Sequence, residues 1–230
     1  MYSGLREIGG KAKTWNGLKI SVGSKYDLCI VDEVFAKKVY DQKSVRVPHN
    51  GVVVDVGAHI GTFSLYAAKV CKAKKVYSFE PCPENYAALK MNVQDNHLSG
   101  IITPIPRAIG AQAGTRELLL DATNTGGHSF YPSSLRHNVI QVKCVTLKQA
   151  LNENNIDHVD YLKIDCEGAE WEILKTIDEE TTSKIGIMGM EYHLKPREEF
   201  IELLGQLGFS VFDSKEEWRN SNYILAAKHA

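Results

Sequence analysis

The 230-residue sequence lacks several things, and each absence removes a class of protein. No window approaches the ~18 uninterrupted apolar residues of a membrane span, and residues 1–13 hold neither an apolar signal core nor a small-residue cleavage site. A soluble, unprocessed, cytoplasmic chain with no membrane contact is the expectation. Cysteine is sparse and unpatterned: Cys29, Cys71, Cys82, Cys144 and Cys166 are odd in number and form no CxxC pair or Cys/His cluster. Reduced thiols follow, not a disulfide-stapled secreted fold. An excess of one charge is missing too, with 27 basic against 28 acidic side chains, so nucleic acid is not an expected partner. There is no repeat, low-complexity tract or Pro/Ser-rich linker at which to divide the chain.

What is there reads as a layered α/β domain. Pro48 marks a change of pattern. Residues 1–48 read as a cap segment, with a turn at Asn16-Gly17, an apolar run from Leu28 to Val31 and one short helix from Asp32 to Tyr40. In residues 49–230 apolar runs of strand length alternate with amphipathic stretches, which is how a sheet covered on both faces reads. Val52 to Val56 is apolar on consecutive residues and is expected to be a central parallel strand. Phe63, Ala67 and Val70 repeat on one face of the helix after it. Lys75 to Glu80, the Pro-interrupted Ile101 to Ile109, Asp160 to Asp165 and Ile185 to Tyr192 supply further strands. Thr115 to Leu120 and Val139 to Val145 look like an added pair, and Phe209 to Phe212 with Tyr223 to Ala227 a closing hairpin. The order predicts a doubly wound three-layer sandwich, with a mostly parallel seven-stranded sheet and a terminal antiparallel hairpin.

In such sheets ligands sit beyond the carboxyl ends of the strands, where the strand order reverses. Asp55, Glu80 and Asp165 end three apolar runs and are expected to point into one crevice there, although any single acid could equally fix a loop. The turn Asp55-Val56-Gly57-Ala58-His59-Ile60-Gly61 spaces its glycines as G-x-x-x-G, and not as the G-x-G-x-x-G that cradles a pyrophosphate. Glu80, 23 residues after Gly57, stands where a carboxylate accepts both hydroxyls of an adenosine ribose. A ribose, an acid at the first loop and no phosphate nest together describe S-adenosylmethionine, whose cationic sulfonium suits a carboxylate-lined crevice. A dinucleotide-dependent oxidoreductase and a non-catalytic adenosine-binding module are the alternatives.

Four stretches, VVVDVGAHIGTFSLY (52–66), YSFEPCPENYAALKMN (77–92), PRAIG (106–110) and LKIDCEGAEWEIL (162–174), resemble the FkbM family of S-adenosylmethionine-dependent methyltransferases over about residues 30 to 215. The KIDCEGAE block is the specific part. The resemblance implies a class I methyltransferase fold and O-methylation of a hydroxyl on a sugar or other small molecule. It also implies that Asp55, Gly57, Ala58, His59 and Gly61 hold the methionine portion, that Glu80 takes the ribose hydroxyls and that Ala108 and Ile109 flank the adenine, with Thr62, Phe63, Pro81 and Asp165 as further cofactor-binding residues. His59 stands where the family commonly has Asn.

For a general base the candidates are Asp165 with Glu167 and Glu191 with His193, the last two favoured; His128 is a further candidate catalytic group. Glu167 and Glu170 could instead serve the first turn of the Trp171 helix. Asp165, Glu167, Glu191 and His193 could also ligate a hard cation, but their spacing is no metal signature, and no metal is expected. The polar loop Asp121 to Asn138, with Gly126-Gly127, His128, Phe130, Tyr131, Arg136 and His137, is either a closing flap over the acceptor or a surface excursion. Trp15, Trp171 and Trp218 read as packing residues.

Overall fold

The computed structural model describes residues 6–8, 10–43, 45–212 and 222–228, so Trp218 lies outside the described residues. Three short strands, β1 (Arg6–Ile8), β2 (Lys11–Lys13) and β3 (Lys19–Ser21), pair antiparallel in that order, and Asn16-Gly17 makes the second turn. Helix α1 (Lys25–Asp32) follows and continues as a π-type stretch over Glu33–Lys37. The sequence expectation put a helix at Asp32. Its true start is Ser24, whose hydroxyl accepts the Asp27 N–H while the Asp27 carboxylate accepts the N–H of Ser24, a reciprocal cap strong enough to set the boundary. The run Leu28 to Val31 is therefore helical.

The main chain of elements is then β4 (Val52–Val56), α2 (Thr62–Lys69), β5 (Lys75–Phe79), α3 (Pro83–Asp95), β6 (Ile102–Ile105), β7 (Ala108–Ile109), β8 (Gly114–Asp121), β9 (Arg136–Val145), α4 (Leu147–Glu153), β10 (Val159–Ile164), α5 (Glu170–Lys175), α6 (Glu179–Ser183), β11 (Ile185–Glu191), α7 (Arg197–Gln206), β12 (Phe209–Val211) and β13 (Tyr223–Lys228). Seven strands form one sheet in the order β12-β13-β11-β10-β4-β5-β6. Neighbours from β11 to β6 run parallel, whereas β13 is antiparallel to β11 and β12, as the expected hairpin requires.

One expectation is corrected here. Ile101 to Ile109 is not one strand region. Pro106, which has no N–H to give a ladder, separates β6 in the main sheet from β7. β7 pairs parallel with β9, and β9 antiparallel with β8, in a second sheet ordered β7-β9-β8.

Strand β4 shows why the sheet is buried on both faces. Val53 joins a cluster with Phe63, Leu65, Val76, Leu89 and Tyr161, while its neighbour Val54 joins another with Leu162, Leu174, Met188 and Phe200. The first cluster also contains Ala12, Leu18, Ile20, Val31 and Phe35, so residues before Pro48 share a core with α2 and α3. Each such large apolar side chain contributes on the order of 1.5–3 kcal/mol by leaving water. Asn92 on α3 ties the same elements together, accepting the Ser21 N–H at 2.7 Å and donating to the Ile60 carbonyl at 2.8 Å. Trp171 packs edge-on against Phe200, but Trp15 is 62% exposed and is not a packing residue, since it lies at the tip of the β2–β3 turn between the buried Thr14 and Leu18. All five cysteines are free, and no described helix is long and apolar enough to cross a membrane.

Candidate active site

The carboxyl ends of β4, β5, β10 and β11 open into a cavity of about 310 Å³. It lies at the reversal of strand order between β4 and β10. Gly57 begins the loop beneath it at φ +75, and a Cβ there would lie 1.7 Å from the Asp165 carbonyl oxygen, so the strand-to-helix turn can pass over β10 only as glycine. The N–H groups of Gly57 and Ala58 both donate to the Phe79 carbonyl. His59 is left-handed at φ +52, and its N–H donates to Glu80 Oε2 at 2.8 Å. Glu80 Oε1 accepts the Cys82 N–H at 2.9 Å, so one buried carboxylate pins the loops after β4 and β5.

Of the residues singled out in the sequence, Gly57, Ala58, His59, Thr62, Phe63, Glu80, Pro81, Ala108, Ile109, His128, Asp165 and Glu191 line this cavity. Asp55, Gly61 and His193 do not. Gly61 sits at φ +89 against Leu89, where it starts α2. Asp55 is fully buried one layer below the cavity floor, accepting from Ser64 Oγ at 2.6 Å and lying 3.3 Å from Lys163 Nζ. Sheet register explains this: Asp55 pairs with Lys163 on β10 and with Ser78 on β5, which sets a polar row across three strands. The expected convergence of three acids on one crevice therefore holds for Glu80 and Asp165 and not for Asp55.

Lys163, which the sequence reading did not single out, holds the floor together. Its ammonium donates to the Gly57 carbonyl at 2.8 Å and lies 3.3 Å from both Asp55 Oδ1 and Asp165 Oδ2. Burial opposes its charge, but Asp165 and Asp55 outweigh burial and hold the group above its usual range. For Asp165 burial raises the pKa, and Lys163, His193 and the Tyr40 hydroxyl, at 3.0 Å from Oδ2, bring it below the ordinary value. The signal for Lys163 was legible as a lone cation inside the apolar run YLKI, opposite an acid in the neighbouring strand.

Other charges are displaced further. Burial, then the nearby Asp165 charge, pushes Glu191 up to about 8, and burial pushes Glu167 up to about 7. Glu80 rises to about 7 by burial, against the pull of its two backbone donors. His59 falls to about 4 by burial, so its ring is neutral at pH 7. His193 goes the other way. Burial lowers it, but its hydrogen bond to Glu170 at 3.1 Å and the surrounding carboxylates raise it to about 9. Ligand atoms of Asp165, Glu170 and His193 do lie within 4.8 Å of one another. Glu170, however, is already engaged by the Cys166 and Gly168 N–H groups and by His193 Nδ1. Glu170 thus clamps the β10–α5 loop, while Glu167 faces the cavity and pairs with Arg136 at 3.1 Å.

The loop after β8 closes on the cavity and is no surface excursion. Thr125 Oγ1 lies 2.9 Å from His59 Nε2 and 3.3 Å from Asp27 Oδ1 on α1, and its carbonyl accepts from Asn85 Nδ2 at 2.8 Å. Leu118, Phe130, Ala108 and Ile109 make an apolar slot at that end, while Tyr40, Glu33 and Tyr223 face the opposite end from outside the sequence motifs. Two buried polar atoms on the lining, His59 Nδ1 and Thr62 Oγ1, have no hydrogen-bond partner in the protein.

A family model described as the Methyltransferase FkbM domain matches residues 55–220. Methyltransferase sdnD of Sordaria araneosa is 27% identical over 229 residues, covering 85% of this chain and 87% of that protein. The 31-O-demethyl-FK506 methyltransferase FkbM of Streptomyces tacrolimicus is 26% identical over 192 residues, covering 70% and 72%. A solved methyltransferase FkbM from Methylobacillus flagellatus superposes with TM-score 0.53 at 17% identity over 77% of this chain and 43% of that one, a likeness of fold. The reversed-order sheet, the glycine turn over Asp165 and the matched span of sequence agree: this chain belongs to the FkbM family of methyltransferases.

Proposed function

We propose that the protein uses S-adenosylmethionine to methylate a hydroxyl of a small molecule. The observation that carries the reading is the pair of buried, unpartnered atoms His59 Nδ1 and Thr62 Oγ1 beside a glycine turn, in a cavity that also presents Glu80. Unpaired polar atoms in such a place cost about 1–3 kcal/mol each unless a ligand satisfies them, and the amino acid end of this cofactor has donors and acceptors for both. Each Glu80 oxygen keeps a lone pair for a ribose hydroxyl after accepting its backbone N–H. Leu118, Phe130, Ala108 and Ile109 suit the flat face of a purine. When bound, the cofactor supplies an electrophilic methyl group on a sulfonium.

The protein's own work is then alignment and proton removal. Asp165, fixed by Lys163 and Tyr40, borders both the turn and the acceptor end. Glu191 is our candidate general base: it faces the cavity, and its elevated pKa near 8 makes its anion a stronger base than an ordinary carboxylate. His193 is better suited to orienting these acids, because it already carries its proton and lies off the lining. Oxygen as the methylated atom draws support from the Streptomyces relative, whose name specifies a 31-O position.

Titration calorimetry with S-adenosylmethionine, S-adenosylhomocysteine and NAD, followed by tritiated-methyl transfer, tests the reading. Binding of the two sulfur nucleosides with label passing to a base-stable small-molecule product is expected. Binding of NAD in their place, or label only in thioethers or amines, would refute it.

A further inference from the structure

Resting on the methyltransferase reading, we infer that the acceptor compartment is built for a hydroxyl-rich molecule that carries no negative charge. The compartment is the end of the cavity bounded by α1, the π-type stretch and the ends of β10, β11 and β13. Its polar surface is dominated by carboxyl groups: those of Glu33, Asp165, Glu167 and Glu191 all face it. The opposing wall, from Cys29, Ile30, Val34 and Val39, is apolar.

Among the described residues, the cations nearest the compartment are already committed. Lys163 is the one ammonium or guanidinium among the described lining residues, and its contacts go to Asp55, Asp165 and the Gly57 carbonyl. Arg136 gives Nη2 to Glu167, Nε to the Gly127 carbonyl at 2.8 Å and Nη1 to the Tyr131 carbonyl at 3.1 Å. Lys37 stands 3.6 Å from Glu33, on the solvent side. His193 is bonded to Glu170 behind the lining.

The phenols do not change the balance. The Tyr40 hydroxyl donates to Asp165, and the Tyr223 hydroxyl lies 3.5 Å from Glu33 Oε2 while also bonding Glu191. A phosphate or carboxylate entering here would meet the Asp165 anion and, among the described residues, no free cationic fork. Hydroxyl groups meet what they need, since each can donate to a carboxylate oxygen, and one of them is then delivered to Glu191. The upward displacement of Glu167 and Glu191 agrees with this, because it reflects burial together with crowding of negative charge.

The test is tritiated-methyl transfer from S-adenosylmethionine into a metabolite extract, with products separated into acid-precipitated polymer, anion-exchange, cation-exchange and unretained fractions. The inference expects at least about tenfold more label in the unretained and cation-exchange fractions together than on the anion exchanger. Label held mainly by the anion exchanger, or in polymer, overturns it while leaving methyl transfer intact. No label from a protein that binds S-adenosylhomocysteine overturns the enzyme reading itself, and the inference falls with it. A second arm uses Glu33→Lys at the mouth, which should raise the anionic share of the label about tenfold; an unchanged share also overturns the inference.

Discussion

Replacing Lys163 by methionine keeps all but one atom of the side chain's length and removes the charge, which leaves Asp55 and Asp165 close together without the cation that bridges them. Asp55 is wholly buried and the lysine is 3% exposed, so water cannot substitute for the lost ammonium. Breaking a buried pair in this way costs about 3–5 kcal/mol, because the orphaned charge keeps its desolvation penalty. With a urea slope of about 2 kcal/mol per molar, the unfolding midpoint should fall by about 1.5–2.5 M at pH 7. The loss should depend on pH in a definite direction. In the native protein burial raises the Asp165 pKa, but Lys163 and His193 hold it below the ordinary value, so its contribution is present above about pH 3.9 and fades as pH falls. In the variant burial is less opposed, the folded-state pKa moves up, and stability is lost as pH climbs past about 3.9. The gap between the two proteins is therefore widest at neutral pH and narrows toward pH 4. Adding Asp55→Asn to the variant should recover part of the loss. A gap under about 1 kcal/mol, or one constant from pH 4 to 7, would refute the view that this lysine carries the charge of the floor.

Glu80→Ala should weaken S-adenosylhomocysteine binding by about 1.5–3 kcal/mol, roughly 10–150-fold in calorimetry, through lost ribose contacts and a slackened His59 loop; unchanged affinity would remove Glu80 from the cofactor site. Gly57→Ala puts a methyl 1.7 Å from the Asp165 carbonyl at φ +75, so a thermal melt should register about 3 kcal/mol or more of destabilisation, and a native-like melt would contradict the close approach. Methyl transfer should climb with pH, about tenfold per unit, and level off above about 8, since the Glu191 carboxyl must shed the proton that burial and Asp165 make it keep. Glu191→Gln should flatten that rise and lower kcat by about 10²–10⁴ with S-adenosylhomocysteine binding retained; an unaltered pH profile would assign the base elsewhere.

Much of this architecture was legible because local and tertiary signals agreed. The Val52 to Val56 run, apolar but for Asp55, could be buried on both faces only as an inner strand, and it is one. The G-x-x-x-G segment forms the turn between β4 and α2 and Glu80 lines the cavity after β5, although Gly61 itself lies off the lining. Information that depends on register was harder to read. Whether Asp55 faces the cavity or the layer beneath it follows from its pairing with Lys163 and Ser78, which no local window contains. The same holds for Tyr40, Glu33 and Tyr223, whose role arises from chain segments that meet only after the sheet is assembled. Two misses did have local signals: the Ser24–Asp27 cap marks where α1 begins, and Thr146 with Gln149 makes the matching cap of α4, a helix absent from the sequence expectation. Pro106 likewise signalled a break, but not that the residues beyond it would change sheets.

Thr125 is a knot between three otherwise separate pieces of chain: the turn after the first sheet strand of the catalytic core, the amino-terminal helix and the long helix that carries Asn85. It joins the loop under the cavity to two helices that are far from it in sequence. Replacing this one side chain therefore disturbs two of those pieces together, although under the proposed function it takes no part in bond making.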